Sequence, residues 1–152
     1  MPHFYIQRER GFSLIELLTV LAIMAILAAI AVPTYRAIGP NLSLNAAARD
    51  MASDLRYAQQ LSVTEQNIYS VVFNISQNSY QIKNSASGSV VKNVSLSQQL
   101  TIYQITGLSS STVSFNATGA AQESGTINLT NVNNHHSLIE IKPSGYVKIQ
   151  NQ

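Results

Sequence analysis

The chain has 152 residues, with 9 lysines and arginines against 7 aspartates and glutamates, a formal net charge of +2 and no cysteine. A charge balance this even does not by itself indicate a nucleic-acid-binding protein. Without cysteine there are no disulfide bonds, so a folded domain must be held together by its core and its sheets. The length suffices for one small globular domain beside a long helix.

The longest apolar stretch runs from Phe12 to Val32 and contains three polar side chains, Ser13, Glu16 and Thr19. As a helix it would be about 31 Å long, close to the hydrocarbon thickness of a bilayer. A helix without a polar face is expected in lipid or in a bundle of similar helices. A carboxylate in such a helix costs up to about 3 kcal/mol. Glu16 therefore requires a partner or a function.

Two ordinary interpretations of this stretch stay open. A secretory signal peptide would explain the basic Arg8 and Arg10 and the small residues of Ala29-Ile30-Ala31. Against it, the stretch is longer than a usual signal core, Glu16 interrupts it, and Pro33 follows closely. A plain membrane anchor is the other alternative.

The segment Gly11-Phe12-Ser13-Leu14-Ile15-Glu16-Leu17-Leu18, after a short basic leader, resembles the class III signal of type IV pilins and type II secretion pseudopilins. The resemblance implies cleavage between Gly11 and Phe12 and N-methylation of the new terminal Phe12. It also implies a role in assembly for Glu16, at the characteristic fifth position after the cut. Residues 1–11 are then a leader peptide, residues 12–40 a transmembrane and filament-core helix, and residues 41–152 an exported domain.

The rest of the chain resembles the GspH/FimT branch of minor pilins and pseudopilins. The segments that carry this resemblance are Asn45 to Arg49, Leu55 to Gln59, Val71 to Phe73, Val113 to Phe115 with Gly119, and Ile139 to Lys148.

The helix is expected to kink near Pro33, which removes one intrahelical hydrogen bond, and near Gly39-Pro40. In the resembled family, a helix weakened at such a proline can stretch locally inside a filament. From Asn41 to about Val63 the chain becomes amphipathic with a helical period. The stripe expected to face a core is Leu44, Ala48, Met51, Leu55 and Ala58. Arg49, Asp50 and Asp54 are expected to be solvated or paired within the helix face.

After Glu65 the pattern changes to period two, with turns rich in Asn, Ser and Gly. The predicted strands are Ile68 to Ile75, Ser79 to Lys83, Val90 to Leu96, Leu100 to Ile105, Thr112 to Phe115, Thr126 to Thr130, Ser137 to Ile141 and Tyr146 to Ile149. Short, closely spaced strands favour an antiparallel sheet. Asn84 to Ser89 and Gly119 to Gly125 are predicted to be exposed loops. The predicted fold is α+β: a long hydrophobic helix that continues into an amphipathic helix packed on antiparallel sheet, as in pilins.

Candidate chemical groups are few. His135 and His136 are adjacent, so on a strand they point to opposite faces and form a poor chelate; a solvated hairpin tip is expected there. No nucleophile motif or phosphate-binding loop is present in the sequence. The sequence therefore predicts no metal site, no cofactor and no enzymatic activity.

Three functions are compatible with this pattern. The first is a minor pilin or pseudopilin that helps to initiate or cap a filament. The second is a FimT-like DNA receptor, a type that carries a Gly-Arg-x-Arg stretch where this chain has Gly145-Tyr146-Val147-Lys148. Lys142, Tyr146 and Lys148 are the candidate DNA contacts, although lysine lacks the bidentate geometry of arginine, so DNA binding is not favoured. The third is a major pilin.

The resemblance also implies the partners and the location of the protein. The partners are other pilins or pseudopilins, the prepilin peptidase that also methylates, and an inner-membrane assembly platform. The basic leader predicts a single-pass inner-membrane protein with a cytoplasmic N-terminus and a periplasmic domain.

Overall fold

The computed structural model describes residues 11–151, without the side chains of residues 34, 36, 37 and 151. Nearly the whole predicted leader lies outside the described residues. The chain divides into two compact units, Met1–Ala37 and Ile38–Gln152. Helix α1, Leu14–Glu65, is assigned without interruption through Pro33 and through Gly39-Pro40. The kinks expected at these positions stay predictions.

The second unit contains eight strands, and each corresponds to a strand predicted from the sequence. They are β1 Tyr69–Asn74, β2 Ser79–Asn84, β3 Val90–Ser95, β4 Leu100–Thr106, β5 Thr112–Phe115, β6 Gly125–Asn131, β7 His136–Ile141 and β8 Val147–Asn151. One four-stranded sheet has the order β3-β2-β1-β5 and the other the order β4-β6-β7-β8. All their pairings are antiparallel, which confirms the predicted α+β fold.

The core of this unit lies between the second half of α1 and the inner faces of the sheets. All five stripe residues predicted on α1 are buried, together with Ala52. From the strands, alternate residues such as Tyr80 and Ile82 of β2 join the same cluster. The small alanine side chains allow close packing against the helix.

The expectation for Asp54 was wrong. Its side chain is 9% exposed and pairs with Lys92 of β3, whose Nζ lies 2.6 Å from Oδ1. The hydroxyl of Tyr80 donates to Asp54 Oδ2 at 2.8 Å. Burial and the neighbouring carboxylate raise the pKa of Tyr80 above its usual range, so this hydroxyl stays a donor. A helix position that looked solvated is therefore tied to the first sheet.

The exposed-loop prediction was correct for Ser85 to Ser89. It was wrong for Asn84, which is buried at the end of β2, and for part of 119–125, where Gly119 and Ala121 are buried. Ala121 forms an isolated antiparallel β-bridge with Phe115 of β5, and its amide donates to Pro143 O at 3.1 Å. Gly119 O accepts from Gln59 Nε2 of α1 at 2.7 Å. This segment therefore joins the helix, β5 and the turn between β7 and β8.

Gly145 in that turn has a φ of +81°, and an added Cβ would lie 2.1 Å from Gly119 O and 2.2 Å from Gln59 Nε2. We expect Gly145→Ala to lower the free energy of unfolding by about 2–4 kcal/mol, because it combines backbone strain with overpacking. Urea unfolding of the domain from residue 38 measures this value.

Gly88→Ala is the matched control, since Gly88 has a φ of +73° but nothing within 4 Å of an added Cβ. It should cost about 1 kcal/mol from the left-handed backbone alone. Equal losses in the two variants would show that the contact with Gly119 and Gln59 is unimportant.

Candidate functional site at the N-terminal helix

The processing junction of the sequence prediction precedes the first turn of α1. Gly11, Phe12 and Ser13 are not helical, and the helix begins at Leu14. Glu16 folds back so that its Oε2 accepts the backbone amide of Ser13 at 3.1 Å. The first amides of a helix lack intrahelical acceptors, and a carboxylate there also complements the helix dipole. Within one chain, Glu16 is therefore a cap of its own helix.

This bond uses one of the two carboxylate oxygens. Among residues 11–151, no hydrogen-bond donor approaches Oε1 of Glu16. The hydroxyl of Thr19, in contrast, donates to Ile15 O at 2.7 Å and is satisfied inside the helix. Glu16 thus retains the capacity to bind a cation.

The apolar surface of this helix is uncovered. Leu14–Pro33 is long and apolar enough to cross a membrane, with a mean hydropathy of 2.7 and none of it buried; it is the one such helix in the described part of the chain. Large side chains such as Leu14 and Ile30 are 75% and 65% exposed. A contiguous apolar surface of this size marks contact with a membrane or with other proteins.

The three candidate DNA contacts lie together on the outer face of the second sheet. Lys142 donates its amide to Tyr146 O at 2.9 Å across the turn, and Lys148 follows two residues later in β8. All three side chains are exposed. The sequence analysis did not anticipate Glu140, which lies opposite Lys148 on the same face and brings a negative charge into this group.

Neither histidine meets a set of metal ligands. Among the described residues, no three His, Cys, Asp or Glu side chains are grouped so that they could hold a metal ion. His135 is exposed in the β6–β7 turn, as expected for a solvated tip. His136 opens β7 instead, where its Nδ1 lies 3.3 Å from Asn128 Oδ1 and its ring meets Tyr103 edge-on at 5.5 Å.

Two family models match the chain. Residues 6–32 match the prokaryotic N-terminal methylation motif, and residues 47–145 match type II transport protein GspH. No curated protein sequence matches the chain.

Solved structures with the same fold include a minor pseudopilin and a minor pilin. The minor pseudopilin EpsH from the type 2 secretion system of Vibrio cholerae is similar with a TM-score of 0.61 and 9% identity, over 72% of this chain and 97% of that one. The type IV minor pilin FimU of Pseudomonas aeruginosa is similar with a TM-score of 0.58 and 18% identity, over 72% and 90%.

The apolar N-terminal helix, the methylation motif and the two-sheet domain together define a protein of the pilin and pseudopilin type. The GspH model covers well over half of the chain, and the chain belongs to the GspH family. Proteins of this family are structural subunits, anchored in a membrane by a single N-terminal helix.

The electrostatics of the Lys142, Tyr146 and Lys148 face predict weak DNA binding. Lys92 is paired with Asp54, and Lys83 lies in the other sheet, so two lysines are available on this face. We expect binding of duplex DNA weaker than about 10 μM near physiological salt, with a log-log salt slope no steeper than about −2. Fluorescence anisotropy at two salt concentrations measures both values.

Lys83→Ala serves as the matched control for Lys148→Ala in this titration. Submicromolar, salt-sensitive binding that Lys148→Ala abolishes and Lys83→Ala leaves intact would make the protein a DNA receptor.

Proposed function

We propose that the protein is a minor pilin or pseudopilin, a subunit of a type II secretion pseudopilus or a type IV pilus that helps to initiate or cap the filament. The observation that carries this proposal is the uncovered helix Leu14–Pro33, which has a methylation motif at its start and a GspH domain behind it. A soluble monomer would expose this entire surface to water. Other pilins or pseudopilins and an inner-membrane assembly platform are the partners that such a helix requires.

Before assembly, the helix spans the inner membrane. Arg8 and Arg10 precede the apolar stretch, and such basic residues keep the N-terminus in the cytoplasm. The domain from residue 38 onward is then periplasmic. The neighbouring genes indicate which filament contains the protein: secretion genes, a pilus cluster or competence genes would each select one.

Processing supplies the first test. Cleavage by prepilin peptidase after Gly11 removes the leader, and methylation of Phe12 by the same enzyme follows. Gly11 to Ser13 lie outside the helix, which supports access of a peptidase to the proposed scissile bond. Mass spectrometry of the membrane-extracted protein should detect an N-terminal, methylated Phe12. A terminus at Val32 would instead indicate ordinary signal peptidase and would contradict the filament proposal.

Glu16 supplies the second test. Cleavage creates an ammonium group at Phe12, and in the filament the Glu16 carboxylate of a neighbouring subunit neutralises it. Oε1 of Glu16, which no donor among residues 11–151 approaches, is the atom that can accept this contact without breaking the bond to Ser13. The pair allows both charges to enter the apolar interior, whereas removal of one partner leaves a buried charge at a cost of about 3–5 kcal/mol.

We therefore expect Glu16→Ala to be exported and processed but not incorporated into filaments. Immunoblots of membrane and sheared-filament fractions measure both steps. Asp50→Ala is the control, because it removes an exposed carboxylate from the second half of the same helix. Normal incorporation of Glu16→Ala would rule out the pairing.

A further inference from the structure

Strand β3 is an outer edge of the first sheet, and its sequence favours further pairing. Five of its six residues are exposed. The segment Val-Val-Lys-Asn-Val-Ser contains three β-branched valines, no proline or glycine, and one charge, Lys92. Short segments of this composition at a sheet edge readily add strands from other chains.

Each of the other three outer strands receives at least one hydrogen bond from another segment of the same chain. The side-chain amide of Asn78 donates to Leu100 O at 2.6 Å and accepts from Ile102 N at 3.0 Å, so it takes the place of a strand beside β4.

The remaining two outer strands are each contacted at one residue. Gln122 donates its amide to Ser114 O of β5 at 2.9 Å, and Arg56 Nη2 donates to Val147 O of β8 at 2.9 Å. Within residues 11–151, no hydrogen bond from another segment reaches the free edge of β3.

Lys92 faces inward at this edge because it pairs with Ile82, and a bulge follows it in the register. Ile82 pairs with Lys92 but Lys83 pairs with Val90, so Val91 is an extra residue in β3. Lys92 thus shares the inner face with the buried Ile82. Its Nζ lies 2.6 and 2.8 Å from the two carboxylate oxygens of Asp54, while its side chain stays 47% exposed.

We propose that the Lys92–Asp54 ion pair guards the β3 edge against antiparallel pairing with the same strand of a second copy. A symmetric pair of chains presents one segment to itself, and the three valines of β3 supply apolar cross-strand partners. An added strand would place an inward-facing side chain over the Lys92 ammonium and remove the water that the ion pair still contacts. Because the ion pair blocks pairing at β3, the N-terminal helix remains the surface for association. The effect at β3 does not depend on whether the protein forms a filament.

The absence of cysteine allows a direct test with a single reporter. Asn93→Cys places a thiol on the exposed face of β3. Full-length protein is produced in the membranes of a host without filament genes and is treated with a short bismaleimide crosslinker. The test variant combines Asp54→Asn with Lys92→Met, which removes both charges and keeps an acceptor for Tyr80.

Crosslinked dimer should rise about tenfold in this variant, as expected when apolar cross-strand pairs replace a guarded edge. Lys92→Arg keeps the charge and should leave the dimer fraction unchanged. Ser53→Cys places the thiol on the exposed face of α1 and reports association through other surfaces. Its crosslinked dimer fraction should be the same with and without the Asp54→Asn and Lys92→Met substitutions.

Thermal unfolding shows whether the double variant is folded. If it is not, Lys92→Gln decides the question. Its amide still donates to Asp54, but the ammonium that an added strand would cover is gone, so the dimer fraction should rise in the same direction. An unchanged dimer fraction at residue 93, or an equal rise at residues 93 and 53, would overturn the proposal.

Discussion

The close approach between the second half of α1 and the two sheets is the contact on which the rest of the domain depends. Ala48, Ala52 and Ala58 are completely buried there. Because alanine is short, the sheets come near enough for helix side chains to hydrogen-bond the strands and turns directly. Asp54 reaches Tyr80 of the first sheet, and Arg56 reaches Val147 of the second. Larger side chains in the stripe would separate these groups and leave buried polar atoms without partners.

The same closeness explains how the domain is held without disulfide bonds. Gln59 of the helix donates to Gly119 O, and Gly145 packs onto both residues at a distance that no side chain could occupy. A turn, a loop and the helix are thus joined at one point by a hydrogen bond and by two glycines. Such a joint restrains chain segments that are far apart in sequence, as a disulfide does in small secreted domains.

Period-two patterning predicted the core strands because each of them buries one face. Strand β3 buries almost nothing and was predicted from its β-branched residues. In β2 the burial alternates strictly along the strand, so the apolar residues by themselves disclose its position. The partners of polar residues carry no such signal. Asp54 and Lys92 are 38 residues apart, and each lies in a segment where a charged residue is ordinary on the solvent face. The loop at Gly119 was missed for the same reason, because its burial depends on Gln59 and Gly145 and not on its own composition.

The two halves of α1 differ in how their apolar side chains are covered. This difference leaves the first half as the surface available for association. In the second half a narrow apolar stripe is covered by the domain, while around Leu14–Pro33 every face is apolar and uncovered. Glu16 is compatible with that surface because its carboxylate already accepts the Ser13 amide within one chain. In the proposed filament it gains a second partner, the Phe12 ammonium of a neighbour. A charge-assisted bond in a low-dielectric interior is stronger than a bond to a neutral amide, so the neighbour's ammonium is favoured over solvent or lipid as the ligand of the free oxygen. A single carboxylate in an otherwise apolar helix therefore caps its own helix, and in the proposed filament it would also set the axial position of the next subunit.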